Sequence, residues 1–246
     1  YKEQPWLVGC NFTPSTAINQ LEMWQADTFD TATIDRELGW AAEIGMNTAR
    51  VYLHDLLWQQ DSEGFLKRVD QFLGIADKHG IKTMLVLCDS VWNPHPKLGK
   101  QPEPKPHVHN SGWVQSPHIE VLRDVKKHDS LKPYFIGVIS RFKDDKRVLL
   151  WDLYNEPGND GDEDKMNTQQ KEAKCLLLIK KMFTWAREVN PSQPLTSALW
   201  SAKSEWIGPK ATPLNHFMRD NSDVLSFHIY EPLVNTAERV GSLKPY

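Results

Sequence analysis

The stretch from 148 to 157, VLLWDLYNEP, joins an apolar run to the tripeptide Asn155-Glu156-Pro157. An uninterrupted apolar run of this length predicts a strand that is buried on both faces of a parallel sheet. Parallel sheets and barrels keep their chemistry at the carboxyl ends of their strands. Glu156 therefore occupies a position where a catalytic carboxyl group is expected.

A second apolar run ends in His228, Ile229 and Tyr230. Because successive side chains of a strand point to opposite faces, His228 and Tyr230 share one face. Two strands that both end in polar, titratable residues indicate one shared site.

The rest of the chain alternates between strand and helix patterns. Between the strands, apolar residues recur at helical spacing, and Gly45 and Gly80 are placed to end two of the helices. This alternation predicts an α/β fold with parallel strands. The candidate strands are Trp6–Phe12, Asn47–Leu53, Ile81–Cys88, Arg147–Tyr154, Pro194–Trp200 and Asp223–Tyr230.

Six βα units fit either an open sheet or part of a barrel. An open nucleotide-binding sheet requires a glycine-rich turn after its first strand, but residues 11–15 read NFTPS. We interpret residues 1–246 as one domain, a (β/α)8 TIM barrel that is truncated after its sixth βα unit. Because a partial barrel leaves two sheet edges open, we expect a second chain or fragment to complete it.

The segment 89–130 is longer than an ordinary connection, which predicts an active-site lid or a binding loop. Its histidines raise the alternative of a metal-dependent hydrolase. Such ligands are expected at strand ends with carboxylates beside them, whereas these lie in a proline-rich loop, so we predict no metal site. The four histidines are His95, His107, His109 and His118.

Composition limits the remaining possibilities. The net charge of −3 argues against a nucleic-acid partner. No apolar run approaches the roughly 20 residues of a membrane span, so no membrane partner is predicted. The first residue is Tyr1 rather than Met, and we expect that a secretory signal has been removed from a secreted, periplasmic or cell-surface protein.

The strand-end motifs together resemble those of clan A of the glycoside hydrolases. The resemblance is closest to the cellulase-like and mannanase-like enzymes of its family 5. The motifs are Asn155-Glu156-Pro157 after strand four, His228-Ile229-Tyr230 at strand six, and Arg50 in strand two. The resemblance implies a retaining enzyme that hydrolyses β-1,4-linked plant polysaccharides or oligosaccharides of the mannan, glucan or xylan type. Its double displacement needs no cofactor.

The resemblance also implies a role for each motif residue. Glu156 would be the general acid/base, and Asn155 would hydrogen-bond the sugar 2-hydroxyl. Tyr230 and Arg50 would hold the nucleophile carboxylate, and His228 would line the cleft. We expect burial beside aromatic residues to raise the pKa of Glu156 enough for it to hold a proton at neutral pH.

Two features depart from the family pattern. The family nucleophile is a Glu on strand seven, which would lie beyond residue 246, so a non-catalytic carbohydrate-binding protein is the alternative function. Strand three ends in Cys88-Asp89-Ser90, where the family often has a histidine. Asp55 and Asp89 follow strands two and three. Each could bind sugar hydroxyls or cap a helix, and the sequence favours neither interpretation.

Tryptophans supply a separate clue, because indole faces stack on the apolar faces of sugar rings. Of those after strand ends, Trp92, Trp113 and Trp200 are the main candidates for sugar binding. The six that follow strand ends are Trp24, Trp58, Trp92, Trp113, Trp200 and Trp206. The four inside strands or helices, which are predicted to be core, are Trp6, Trp40, Trp151 and Trp185.

Overall fold

The computed structural model describes residues 4–159, 166–200, 206–230 and 232–244. Its centre is a five-stranded parallel sheet whose strands neighbour one another in chain order. The α/β class and the partial barrel predicted from the sequence are confirmed. The strands are β1 Gly9–Asn11, β2 Thr48–Tyr52, β3 Lys82–Val86, β4 Val148–Asp152 and β5 Leu195–Thr196.

Helices connect the strands. The α3 helix packs against α2 and α5, and α5 packs against α6. Two short 3-10 helices add to them, at Val125–Leu131 and Gly208–Lys210. The α-helices are α1 Gln20–Trp24, α2 Thr31–Glu43, α3 Asp55–Lys78, α4 Ile119–Arg123, α5 Lys132–Phe142, α6 Thr168–Val189, α7 Pro213–Asn221 and α8 Leu233–Leu243.

Local signals explain where the helices begin and end. Gly45 and Gly80 have φ of 91° and 71°, as the predicted left-handed caps require. Asn190 ends α6 in the same conformation at φ 54°, and Asn167 begins that helix with a capping box that includes Gln170. These ends fix where each strand enters the sheet.

The register brings the carboxyl ends of four strands to one level. Tyr52, Val86, Asp152 and Thr196 lie side by side across β2 to β5. Residues just beyond this row therefore meet at one edge of the sheet. The candidate site lies at this edge.

The predicted sixth strand, Asp223–Tyr230, does not form a strand. One parallel bridge joins Leu199 to Phe227, and the His228 amide donates to the Leu199 carbonyl at 2.8 Å. The neighbouring β5 is only two residues long, and the Thr196 hydroxyl donates a hydrogen bond to the Val224 carbonyl at 2.7 Å. The segment thus runs along β5 without a ladder, and it still carries His228 and Tyr230 to the carboxyl edge.

The loop after β3 is tied at its base by a pair of backbone hydrogen bonds. Asp89 and Ser116 exchange them at 2.8 and 2.9 Å. The buried Lys171 ammonium donates to the Ser90 carbonyl at 2.7 Å and so links the loop to α6. From Ile119 onward the chain is helical, so the irregular part of the predicted loop 89–130 ends earlier than the sequence suggested.

Tryptophan positions differ from the prediction in five cases. Trp24 and Trp206 are fully buried core residues rather than cleft residues. Trp58 lies on α3 and packs against the core at Gly137. Conversely Trp6 and Trp40, which were predicted to be core, are 87% and 55% exposed. Trp151 and Trp185 are buried, as expected.

In the described part of the chain, none of the helices is long and apolar enough to cross a membrane. Within the same residues, no group of three or more His, Cys, Asp or Glu side chains is arranged to hold a metal ion.

Candidate active site

A cavity of about 670 Å³ opens at the carboxyl edge of the sheet, beneath the loop that follows β3. Six of the eight predicted site residues line it, whereas Arg50 and Trp200 do not. Strand tips, the bridge to Phe227 and the loop after β3 therefore bring distant parts of the sequence to one place. The six are Asn155, Glu156, His228, Tyr230, Trp92 and Trp113.

Glu156 is held firmly in this cavity. Its Oε1 is hydrogen-bonded to Nδ1 of His228, and its Oε2 accepts from Asn159 Nδ2 at 2.7 Å. The side chain is only 12% exposed. The backbone of Glu156 has φ 44°, a left-handed conformation that is uncommon outside glycine and marks a locally strained position. The turn after β4 therefore aims the carboxyl group at the cavity.

The predicted rise in the pKa of Glu156 is wrong. Burial acts to raise it, but hydrogen bonds from His228 and Asn159, together with the Arg50 charge, outweigh burial and hold the pKa below its ordinary value. The contact with His228 joins residues 72 positions apart. The pattern of residues near Glu156 in the sequence therefore does not indicate this contact.

Arg50 lies beneath the cavity and orders its floor. Nη2 donates to Asp152 Oδ2 at 2.6 Å and to Asn155 Oδ1 at 2.8 Å, and Nη1 contacts the Tyr52 hydroxyl. The buried Asp152 stabilises the charged form of Arg50 and raises its pKa against the opposing effect of burial. Among the described residues no hydrogen bond joins Arg50 to Tyr230, which was predicted to work beside it.

Tyr230 lies at the mouth of the cavity and is 89% exposed. Its ring is 6.4 Å from that of His228, in edge-to-face orientation. The two share one side of the extended segment, as the sequence alternation predicted.

The two aspartates that follow strands, Asp55 and Asp89, have pKa values shifted in opposite directions. Burial acts to raise the pKa of Asp55, but its contact with His54 and the hydrogen bond it accepts from the Ser116 hydroxyl at 2.8 Å outweigh burial and lower the pKa. Asp89 is equally buried, and burial is the main cause that raises its pKa to about 7. Its Oδ1 accepts from Asn155 Nδ2 at 2.8 Å. Neither aspartate lines the cavity.

Aromatic side chains form one wall of the cavity. Trp92 lies with its ring 6.0 Å from that of Trp113 and 5.6 Å from that of His109, and Trp113 packs edge-on to Tyr52 at 4.9 Å. Trp92 has φ 78°, so its backbone is also in the left-handed region. Trp200 instead donates its indole N–H to the Pro157 carbonyl at 2.9 Å and supports the turn that carries Glu156.

The loop histidines do not form one cluster: His95 and His118 are paired, whereas His109 lies in the main cavity. His95 Nδ1 and His118 Nε2 are 3.4 Å apart. His118 Nδ1 accepts from the Glu120 amide at 3.1 Å, so in the neutral ring Nε2 carries the proton and donates to His95. Burial is the main cause that lowers the pKa of His118. His109 lines the main cavity beside Trp92.

Several site residues were missed by sequence reasoning. Tyr52 has the clearest signal, since it lies two residues after Arg50 and so shares its face of the strand. Asp152 is a lone charge inside an apolar run, which indicates a buried ion pair. Asn159 and His109 lie in irregular segments, where spacing gives no signal.

A parallel α/β sheet with a carboxyl group in a cavity at its strand tips has the layout of a barrel enzyme. The chain belongs to glycosyl hydrolase family 5, since the Cellulase model of that family matches residues 10–242. A search of curated proteins gives no match.

Solved structures with the same fold are similar over most of the chain. The β-mannanase from the blue mussel Mytilus edulis has a TM-score of 0.60 at 16% identity, covering 92% of this chain and 71% of that one. A single-residue variant of GH5_18 from Streptomyces cattleya, in complex with Manb1-4GlcNAc, has a TM-score of 0.52 at 14% identity, covering 90% of this chain and 52% of that one. The endo-1,4-β-mannanase from Rhizomucor miehei has a TM-score of 0.50 at 17% identity, covering 73% and 54%. The chain thus spans about half the length of the last two.

Proposed function

We propose that this chain carries the acid/base site of a retaining β-glycosidase, with Glu156 as the general acid and base. The observation that supports the proposal is the position of Glu156, which is fixed at a strand tip by His228 and Asn159 and faces the cavity. In the first step Glu156 gives its proton to the glycosidic oxygen while a second carboxylate attacks the sugar carbon. In the second step it takes a proton from the water that releases the sugar.

The lowered pKa of Glu156 suits the second step, in which the carboxylate acts as a base. For the first step the group must hold a proton. A second carboxylate about 5–5.5 Å away, the spacing of retaining enzymes, raises the pKa of its neighbour by charge repulsion. The family places that nucleophile on a seventh strand, and we place it beyond residue 246.

The proposed substrate is a β-1,4-linked plant polysaccharide or oligosaccharide, with mannan as the first choice among mannan, glucan and xylan. Two similar folds belong to β-mannanases, one of them an endo-1,4-β-mannanase. The indoles of Trp92 and Trp113 give the cavity a wall on which sugar rings stack.

The test is Glu156→Gln, assayed on β-1,4-oligosaccharides and on aryl glycosides with activated leaving groups. Loss of the proton donor should lower turnover of the oligosaccharide by about 10²–10⁴-fold. The activated substrate should lose far less in its first step, since its leaving group departs without a proton. The matched control is Glu103→Gln, which changes an exposed carboxylate of the loop that is outside the cavity.

Two outcomes contradict the proposal. Equal losses on both substrates would exclude the acid role of Glu156. Binding of oligosaccharides by a wild-type protein that cleaves no glycoside would favour the carbohydrate-binding alternative.

The aromatic wall has its own test. Trp92→Ala should weaken oligosaccharide binding by removing a stacking surface worth about 0.5–1.5 kcal/mol or more. Trp40→Ala is the control, because Trp40 is exposed on α2 away from the cavity. Binding measured by calorimetry that is unchanged in Trp92→Ala would remove this residue from the site.

A further inference from the structure

A buried carboxyl group to which the family pattern gives no role lies next to the candidate acid. Asp89 is 1% exposed. Its Oδ1 accepts from Asn155 Nδ2 at 2.8 Å and from the Val91 amide at 3.1 Å. Its Oδ2 is buried and has no hydrogen-bond partner in the described part of the chain. Since an ionised oxygen in that setting is costly, the arrangement suits a carboxyl group that carries its proton on Oδ2.

The contacts with Asp89 and Arg50 together decide how the Asn155 amide is oriented. On its other side, Asn155 Oδ1 accepts from Arg50 Nη2 at 2.8 Å. A flipped amide would set two donors against each other at Arg50 and two acceptors against each other at Asp89, so only one orientation satisfies both neighbours. In that orientation one N–H of Asn155 is bound by Asp89, and the second N–H remains for the cavity that Asn155 lines.

We infer that Asp89 is a positioning residue that fixes the Asn155 amide so that its second N–H donates to the 2-hydroxyl of a sugar bound beside Glu156. The inference rests on the proposed function. Asp89 itself lies outside the cavity and does not touch substrate. Its raised pKa is consistent with the role, because a neutral carboxyl group accepts the Asn155 hydrogen bond without adding a second negative charge beside Glu156.

Three variants and two substrates test the role. Asp89→Asn keeps an acceptor oxygen and puts an N–H where the carboxyl proton lies, whereas Asp89→Ala removes the acceptor and Asn155→Ala removes the amide itself. Each is assayed on an aryl β-glycoside and on its 2-deoxy analogue. We expect Asp89→Ala to lower kcat/KM about tenfold on the parent substrate, the loss of roughly one hydrogen bond, and to change the 2-deoxy substrate little. Asp89→Asn should retain most of the activity.

The coupling between the two residues gives a sharper result. In the Asn155→Ala background, Asp89→Ala should add no further loss, because its effect passes through Asn155. Equal losses on both substrates, or losses that add in the double variant, would overturn the inference. Asp55→Asn is the structural control: Asp55 is as buried as Asp89 but bonds to Ser116 and not to Asn155. It should lower the melting temperature and affect both substrates alike.

A readout that does not depend on turnover separates this inference from the proposed function. The side-chain amide of Asn155, assigned in ¹⁵N spectra by its absence in Asn155→Ala, should show one hydrogen-bonded proton that exchanges slowly. That signature should persist in Asp89→Asn and disappear in Asp89→Ala. If it is unchanged in Asp89→Ala, the inference is wrong whether or not the protein cleaves glycosides. If it disappears while wild type cleaves nothing, the positioning stands and the proposed function fails.

Discussion

Asp89 makes the stability of the protein depend on pH in an unusual direction. Asp55 is equally buried, but its contacts with His54 and Ser116 outweigh burial and lower its pKa. Burial raises the pKa of Asp89 from 3.8 to about 7. The folded state therefore binds a proton that the unfolded chain releases, and stability from this group is full below pH 4 and is lost as pH rises through 7. Asp89→Asn removes the titrating group and should remove this loss.

The size of the effect follows from the two pKa values. Each tenfold change in proton affinity corresponds to about 1.4 kcal/mol, so a rise from 3.8 to about 7 gives a total of roughly 4 kcal/mol. Roughly 2–3 kcal/mol of this total falls between pH 5 and pH 8. That is a large part of the 5–15 kcal/mol that is typical of the stability of a whole domain.

The assay is urea unfolding of wild type and Asp89→Asn at pH 5 and at pH 8. Other groups titrate in this range, since burial lowers the pKa of His118 and His128 and favours folding as pH rises. They are the same in both proteins, so the difference between the two pH dependences isolates Asp89. At each pH the free energy of unfolding of wild type is subtracted from that of Asp89→Asn. This difference should be about 2–3 kcal/mol larger at pH 8 than at pH 5. Parallel pH dependences would refute the assignment of a buried proton to Asp89.

Three other predictions concern single side chains. His228→Ala removes the hydrogen bond to Glu156 Oε1 and should raise the pKa of Glu156, which the carboxyl ¹³C titration would show as a midpoint at higher pH. Gly137→Ala places a Cβ about 2.0 Å from the Trp58 ring, and this overpacking should cost about 1–3 kcal/mol in chemical unfolding. Trp24→Ala removes a fully buried indole and should cost about 3–5 kcal/mol, and a melting temperature equal to wild type would contradict its core position.

Sequence patterns predicted the fold where structure is local. The apolar runs at β2, β3 and β4 lie within the predicted strands, and Gly45 and Gly80 end helices as expected. These features are determined by residues that are adjacent in the sequence, so they can be predicted from one sequence alone.

Patterns failed where long-range packing decides. The run that ends at Tyr230 has the composition of a strand, but its neighbour β5 is two residues long and offers little to pair with. Trp24 follows a strand, yet its indole N–H reaches the Tyr52 carbonyl at 2.8 Å inside the core. The pKa of Glu156 is set by His228, and no rule of spacing connects the two.

The paired hydrogen bonds between Asp89 and Ser116 make the intervening loop an exchangeable unit. Both of its ends leave the sheet at one point, so a replacement of different length would keep the strand order intact. The unit would have to preserve its anchors to α1, where the Asn19 amide donates to the Gly112 carbonyl at 2.7 Å and to Gln101 Oε1 at 2.8 Å. Evolution or design can therefore remodel the aromatic wall without rebuilding the barrel. Among relatives, differences in loop length and sequence should concentrate between Asp89 and Ser116.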